Sequence, residues 1–335
     1  ASMILYKMGY RKRNRTPGRP SRLLAAAVLL GSALALWGCA PDEEAKRERQ
    51  CVTLAGGLHG ELIHREAIAL ADSVNTSEST VYVELKAENQ FRLTPEQLKA
   101  AITPRTKALV LPFPSNPTGG IMERQDLEAL AQVLRDTEIM VVSDEIYAEL
   151  TYGQRHVSMA NLEEMYDRTI VVNGFSKSHA MTGWRMGYVC GPEPVIQQML
   201  KLHQFGIMSA PTTSQYAAIE AMRNGDRDIE HMREEYDSRR RYLVENLRRI
   251  GLSCFEPKGA FYVFPDIRST GLTSNEFCER FLREERVAVI PGSAFGPGGE
   301  GFVRACYAAS MKDISEAITR MDNFLTNLRR SQGRG

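Results

Sequence analysis

From residue 81 onward the apolar positions follow two alternating rhythms. Val81-Tyr-Val-Glu-Leu85 alternates like a half-buried strand. Ala108-Leu-Val-Leu-Pro112 is instead a continuous apolar run, the pattern of a strand buried on both faces. Leu127, Leu130, Ala131 and Leu134 recur at helical spacing and predict a helix over 124–135. Buried strands are predicted at 139–142 and 169–172, and a fourth at 185–190. Strands alternating with helices predict an α/β fold, a mainly parallel sheet sandwiched by helices. In such sheets ligands bind beyond the carboxyl ends of the strands.

The rhythm changes after about residue 206. Helices are predicted at 211–222 and, longer and more charged, at 226–249. Strands at 261–264, 287–290 and 302–307 surround a helix over 275–286, and a helix over 311–328 closes the chain. This order predicts a smaller α+β C-terminal domain, residues 226–330, entered through the long helix. Residues 51–225 then form the large domain. After residue 50 there are no internal repeats and no low-complexity segment.

The first fifty residues follow neither rhythm. Lys7, Arg11, Lys12, Arg13, Arg15, Arg19 and Arg22 precede an apolar Ala/Leu run over 23–36, which ends in Leu36-Trp37-Gly38-Cys39. A basic start, an apolar core and a small residue before a cleavage point describe a secretory signal, and the Leu-x-Gly-Cys ending resembles a lipobox in which Cys39 is lipidated. The alternatives are a buried Ala/Leu helix or a misjoined leader. The run is short for a membrane span. The predicted compartment is the cytoplasm, with a membrane-anchored lipoprotein as the alternative.

Composition narrows the classes of function. Of 335 residues, 43% are hydrophobic and 25% charged, as in ordinary globular proteins. A net charge of +1 gives no global field to attract nucleic acid. The six cysteines are widely spaced and form neither a metal-ligand cluster nor a disulfide framework, so no metal is expected. His59 and His64 lie at helical distance and read more readily as a solvated face than as a ligand pair.

Three successive predicted strand ends carry polar groups: Ser115-Asn116-Pro117-Thr118-Gly119-Gly120, Ser143-Asp144-Glu145-Ile146-Tyr147, and Asn173-Gly174-Phe175-Ser176-Lys177, running on to Thr182-Gly183-Trp184-Arg185. Singly, each is more often a turn, a cap or a solvated charge. Together they resemble the class I/II aminotransferases, the aspartate aminotransferase-like pyridoxal-phosphate enzymes of fold type I. Residues 174–187 match that family's lysine-attachment signature at Gly174, Ser176, Lys177, Arg185 and Gly187. Asn116 and the Asp144/Tyr147 pair follow its order and spacing. Phe302-Val-Arg304-Ala-Cys-Tyr307, with Val289-Ile-Pro-Gly292-Ser-Ala-Phe295-Gly296 before it, resembles its carboxylate-binding strand. The match spans roughly residues 81–328.

The resemblance implies a pyridoxal 5'-phosphate cofactor, an amino acid and a 2-oxo acid as substrates, and a homodimer. It implies that Lys177 forms the Schiff base and shuttles the Cα proton, and that Asp144 keeps the pyridine nitrogen protonated. Asn116 and Tyr147 would hydrogen-bond the ring's phenolic oxygen, Arg185 and Ser176 the phosphate, and Arg304, beside Asn116, the substrate carboxylate. A lyase on the same scaffold is the alternative reaction, and a degenerate relic is the non-enzyme alternative. The chain departs from the pattern before Asn116. Cys51-Val-Thr-Leu-Ala-Gly-Gly57 resembles the segment following the family's ring-stacking aromatic, and an unfamiliar insert over 58–80 comes next. Neither a stacking aromatic nor a phosphate-loop glycine is assignable.

Overall fold

The computed structural model describes residues 81–333 with their side chains, together with the backbone of residues 2–7, 50–55 and 80. The apolar run, Cys39, His59, His64 and the body of the 58–80 insert lie outside the described residues.

Among the described residues, seven strands form one sheet: β1 (Ser2–Lys7), β2 (Gln50–Ala55), β3 (Thr80–Glu84), β4 (Thr106–Pro112), β5 (Met140–Asp144), β6 (Thr169–Gly174) and β7 (Met186–Gly191). Their spatial order is β1-β7-β6-β5-β4-β2-β3. Every neighbouring pair is parallel except β6 with β7. β4 sits between neighbours and is buried at all but one of its residues, as its unbroken apolar run requires. Residues 2–7, at the head of the expected leader, pair along β7 as an edge strand.

The reversal at β7 has a chain-length cause. A parallel return needs a crossover of a dozen residues or more. Only residues 175–185 separate β6 from β7, so the chain turns straight back. Gly174 and Gly187 face each other across this pair. A Cβ on Gly174 would lie 2.9 Å from the Met186 carbonyl oxygen. The signature glycine is therefore demanded by close backbone approach.

Helices cover the sheet. α1 (Pro95–Ala101) starts at a Thr94/Gln97 capping box with Pro95 in its first turn. α2 (Arg124–Leu134) buries Leu127, Leu130, Ala131 and Leu134, the predicted stripe. The short α3 (Phe175–Ser178) carries Lys177. α4 (Glu193–Gly206) buries Val195, Ile196 and Met199, and α5 (Thr212–Asn224) follows it. Neither α1 nor α4 is among the elements predicted from the pattern.

α6 (Asp226–Arg249) is the predicted long helix, and it buries Leu243, Val244 and Leu247. α7 (Ser274–Glu285) and α8 (Met311–Ser331) pack with it around Val263, Phe277, Phe281, Val303, Tyr307 and Phe324. The strands here are short: β8 (Ser253–Cys254) pairs β10 (Pro265–Asp266), while β9 (Tyr262–Val263) and β11 (Ile290–Pro291) flank β12 (Val303–Cys306), all antiparallel. The strand predicted over 287–290 is corrected to Ile290–Pro291. It faces β12 at two positions, Ile290 with Arg304 and Pro291 with Val303, while Ala305 and Cys306 of β12 pair with β9.

Candidate active site

The predicted residues gather beyond the carboxyl ends of β4, β5 and β6. The turn after β4 buries Asn116 and closes on itself, with the Gly119 N–H donating to the Ser115 carbonyl at 2.9 Å. Asp144 is the last residue of β5, half-buried, and its Oδ1 accepts the Ile146 N–H at 3.2 Å. Tyr147 is 1% exposed. Glu145, between them in sequence, is buried in a separate network: it accepts the Ser143 and Ser158 hydroxyls at 2.8 and 2.5 Å, and its Oε2 is 3.0 Å from His156 Nε2.

Lys177 and Arg185 both ride on the return between β6 and β7. Lys177 is half-buried, with Nζ 5.8 Å from the centre of the Phe261 ring. Burial lowers its pKa first, and the nearby charges of Arg185 and Arg304 lower it further, against an opposing contribution from Cys306. More of its amine is therefore neutral and nucleophilic than at a solvated lysine. Arg185 is exposed, holds a left-handed backbone at φ 53°, and donates from Nη1 to the Thr182 carbonyl at 2.7 Å. The Ser176 carbonyl accepts the Thr182 hydroxyl at 2.8 Å, which ties the return together.

Arg304 arrives from β12, far along the chain. Its Nη1 donates to Asn116 Oδ1 at 2.7 Å. Its guanidinium lies 4.5 Å from the Tyr262 ring centre and 4.8 Å from that of Phe295. Arg304 Nε is buried with no hydrogen-bond partner among the described residues. Tyr262 has no role in the sequence reading beyond its place in a predicted strand. Its hydroxyl is 3.1 Å from that of Tyr147. The cluster Phe261-Tyr-Val-Phe264 is the one sequence signal that marks it.

The arrangement suits an anionic ligand bearing a carbonyl. Lys177, Arg185 and Arg304 bring three cations together, and none forms an ion pair with a carboxylate among the described residues. Asp144 supplies the carboxylate close to Tyr147.

The family model for aminotransferases of class I and II matches residues 71–321. The chain belongs to this family. Enzymes of the family in general depend on pyridoxal phosphate. A putative aminotransferase of Bacillus subtilis is 46% identical over 245 residues, covering 73% of this chain and 64% of that protein. An aspartate aminotransferase of Pyrococcus abyssi is 46% identical over 241 residues, covering 71% and 62%. The chain thus spans less than two thirds of these relatives' length. Among solved structures, the aromatic aminotransferase of Pyrococcus horikoshii superposes with a TM-score of 0.79 at 39% identity, covering 90% of this chain and 77% of the other. An aspartate aminotransferase of Thermus thermophilus with maleate gives 0.75 at 35%, covering 89% and 73%. The family's α/β architecture is therefore the architecture of this chain.

Proposed function

We propose that this chain is a pyridoxal-phosphate-dependent transaminase that moves an amino group between an amino acid and a 2-oxo acid. The observation that carries the reading is the meeting of Lys177, with its lowered pKa, and the cations Arg185 and Arg304 at strand ends that also present Asp144, Tyr147 and Asn116. The bound cofactor supplies an electron-withdrawing ring that stabilises the charge left on Cα when its proton is removed.

The remaining roles belong to the chain. With the cofactor bound, the Lys177 amine would hold it and would take and return the proton at the amino acid's Cα. Asp144 holds a proton on the ring nitrogen through its carboxylate. Arg185, helped by Ser176, holds the phosphate. Asn116 Oδ1 is engaged by Arg304, which leaves its amide N–H to reach the phenolic oxygen beside the Tyr147 hydroxyl. Arg304, stacked and held by Asn116, presents its fork to the substrate carboxylate. In this reading residues 51–225 make the cofactor-binding domain and residues 226–330 the smaller domain that brings Arg304.

A homodimer is part of the reading. The exposed turn bearing Trp184 and Arg185 lies against α5, where Ser214 Oγ donates to the Trp184 carbonyl at 2.7 Å. On α4, α5 and the link between them, Phe205 is 92%, Met208 80%, Tyr216 71% and Met222 69% exposed. Large apolar side chains left in solvent suit a protein contact, and a second copy would cover them. Cytoplasmic residence suits the four cysteines described, all of them free thiols. Among the described residues no helix is long and apolar enough to cross a membrane.

The test is spectroscopic. The purified chain should gain a visible-edge absorbance band on addition of pyridoxal phosphate. Lys177→Ala should lack the band, and Lys177→Arg should keep the charge but not the chemistry. A wild-type chain without the band at saturating cofactor would overturn the reading. Keto-acid-dependent amine transfer, measured against ammonia release, separates transaminase from lyase.

A further inference from the structure

Behind Tyr147 stands Tyr262. Their hydroxyl oxygens are 3.1 Å apart and their rings meet edge to face with centroids 6.0 Å apart. The Tyr262 ring also lies 4.5 Å from the Arg304 guanidinium. One side chain therefore touches both the group that faces the cofactor and the group that faces the substrate carboxylate. Its position is fixed on both sides. The Ala260 N–H donates to the Leu150 carbonyl, the Ala260 carbonyl accepts the Tyr152 and Tyr307 hydroxyls, and Tyr262 itself pairs with Cys306 in the β9–β12 ladder.

A phenol has one proton to donate. Burial raises the pKa of both tyrosines, so both hydroxyls stay protonated. If Tyr147 gives its proton to the cofactor's phenolic oxygen, it cannot also give it to Tyr262. The proton between the two tyrosines must then come from Tyr262.

We propose that Tyr262 is a positioning residue of the site: its hydroxyl donates to Tyr147 Oη and so points the Tyr147 proton at the phenolic oxygen, while its ring fixes the guanidinium of Arg304. The proposal rests on the cofactor reading above. A chain of two O–H donors polarises in one direction, and each bond strengthens the other. A donor to the phenolic oxygen draws off its negative charge. That weakens its hold on the proton shared with the Lys177 nitrogen and makes the bound chromophore lose this proton at lower pH.

The experiment is a double-mutant cycle on chains loaded with pyridoxal phosphate. Wild type, Tyr147→Phe, Tyr262→Phe and the double variant are titrated with pH while the visible absorbance is followed. Tyr147→Phe should raise the chromophore pKa, and Tyr262→Phe should raise it less, by about half a unit. In the Tyr147→Phe background, Tyr262→Phe should add nothing, because the relay is already cut. An unmoved titration in Tyr262→Phe, or equal shifts in both backgrounds, overturns the relay. If Tyr147→Phe itself leaves the titration unmoved, the assignment of Tyr147 fails, and the relay falls with it. The ring has its own readout. Tyr262→Leu should raise KM for any amino donor the wild type uses by about tenfold more than Tyr262→Phe does, because Phe keeps the ring. Equal KM in both variants overturns the ring's role.

Discussion

The two halves of the site are held in different ways. Asp144 ends β5 and Lys177 follows β6 on α3, directly after sheet strands; β5 pairs with β4 over five consecutive positions. Their placement follows from backbone hydrogen bonding and the directions of the strands. Tyr262 and Arg304 sit on β9 and β12, which pair at only two positions. Packing holds them instead: Arg304 between two rings and against Asn116, and Tyr262 against Tyr147. In the proposed chemistry, the half with the reacting amine is fixed by the ladder and the half that grips substrate by side-chain contact. The two meet at a backbone clasp in which the Gly119 carbonyl accepts the Lys258 and Gly259 N–H groups at 2.9 and 3.0 Å, and the Lys258 carbonyl accepts the Tyr152 N–H.

The contrast can be broken at each part. The largest effect is expected in the ladder half. Asp144→Asn should keep bound cofactor but lose about 10²- to 10³-fold in turnover, because an amide does not hold the ring nitrogen protonated. Normal steady-state turnover with this variant would sink the assignment. In the packed half, Arg304→Lys keeps the charge but loses the fork and the stacking. It should raise KM by about 10- to 100-fold, near 1.4–3 kcal/mol, with a smaller change in kcat. A larger loss in kcat than in KM would mean that Arg304 acts on the reacting atoms. The smallest effect is expected at the clasp. Gly119 has φ +68°, and a Cβ there would lie 2.2 Å from Pro257 Cβ. Gly119→Ala should lower unfolding stability by about 1–3 kcal/mol, seen in denaturant melts. An unchanged melt would show that the clasp gives way without strain.

Much of the ladder half was legible in the sequence, because continuous apolar runs such as 108–112 declare buried strands and the polar residues after them fall at strand ends. Less of the packed half was. Two-residue strands carry no period, so 287–290 was placed too early, and Tyr262 looked like one more buried aromatic. α4 opens with Pro192 and Pro194, which suit a break as well as a first turn, so its start carries no distinctive sequence signal.

The sequence by itself determined the principal strands and most of the helices from residue 81 on, the α/β class, and which polar residues follow which strand. Those are local matters of apolar spacing and residue chemistry. The link of residues 175–185 is too short for a parallel crossover, and so sets Lys177 and Arg185 on one antiparallel return. Only the tertiary structure decided that Arg304 crosses 188 residues of chain to Asn116, and that Tyr147 and Tyr262 share a proton-bearing contact. Pairings so distant depend on how whole layers pack, and no window of sequence contains both partners.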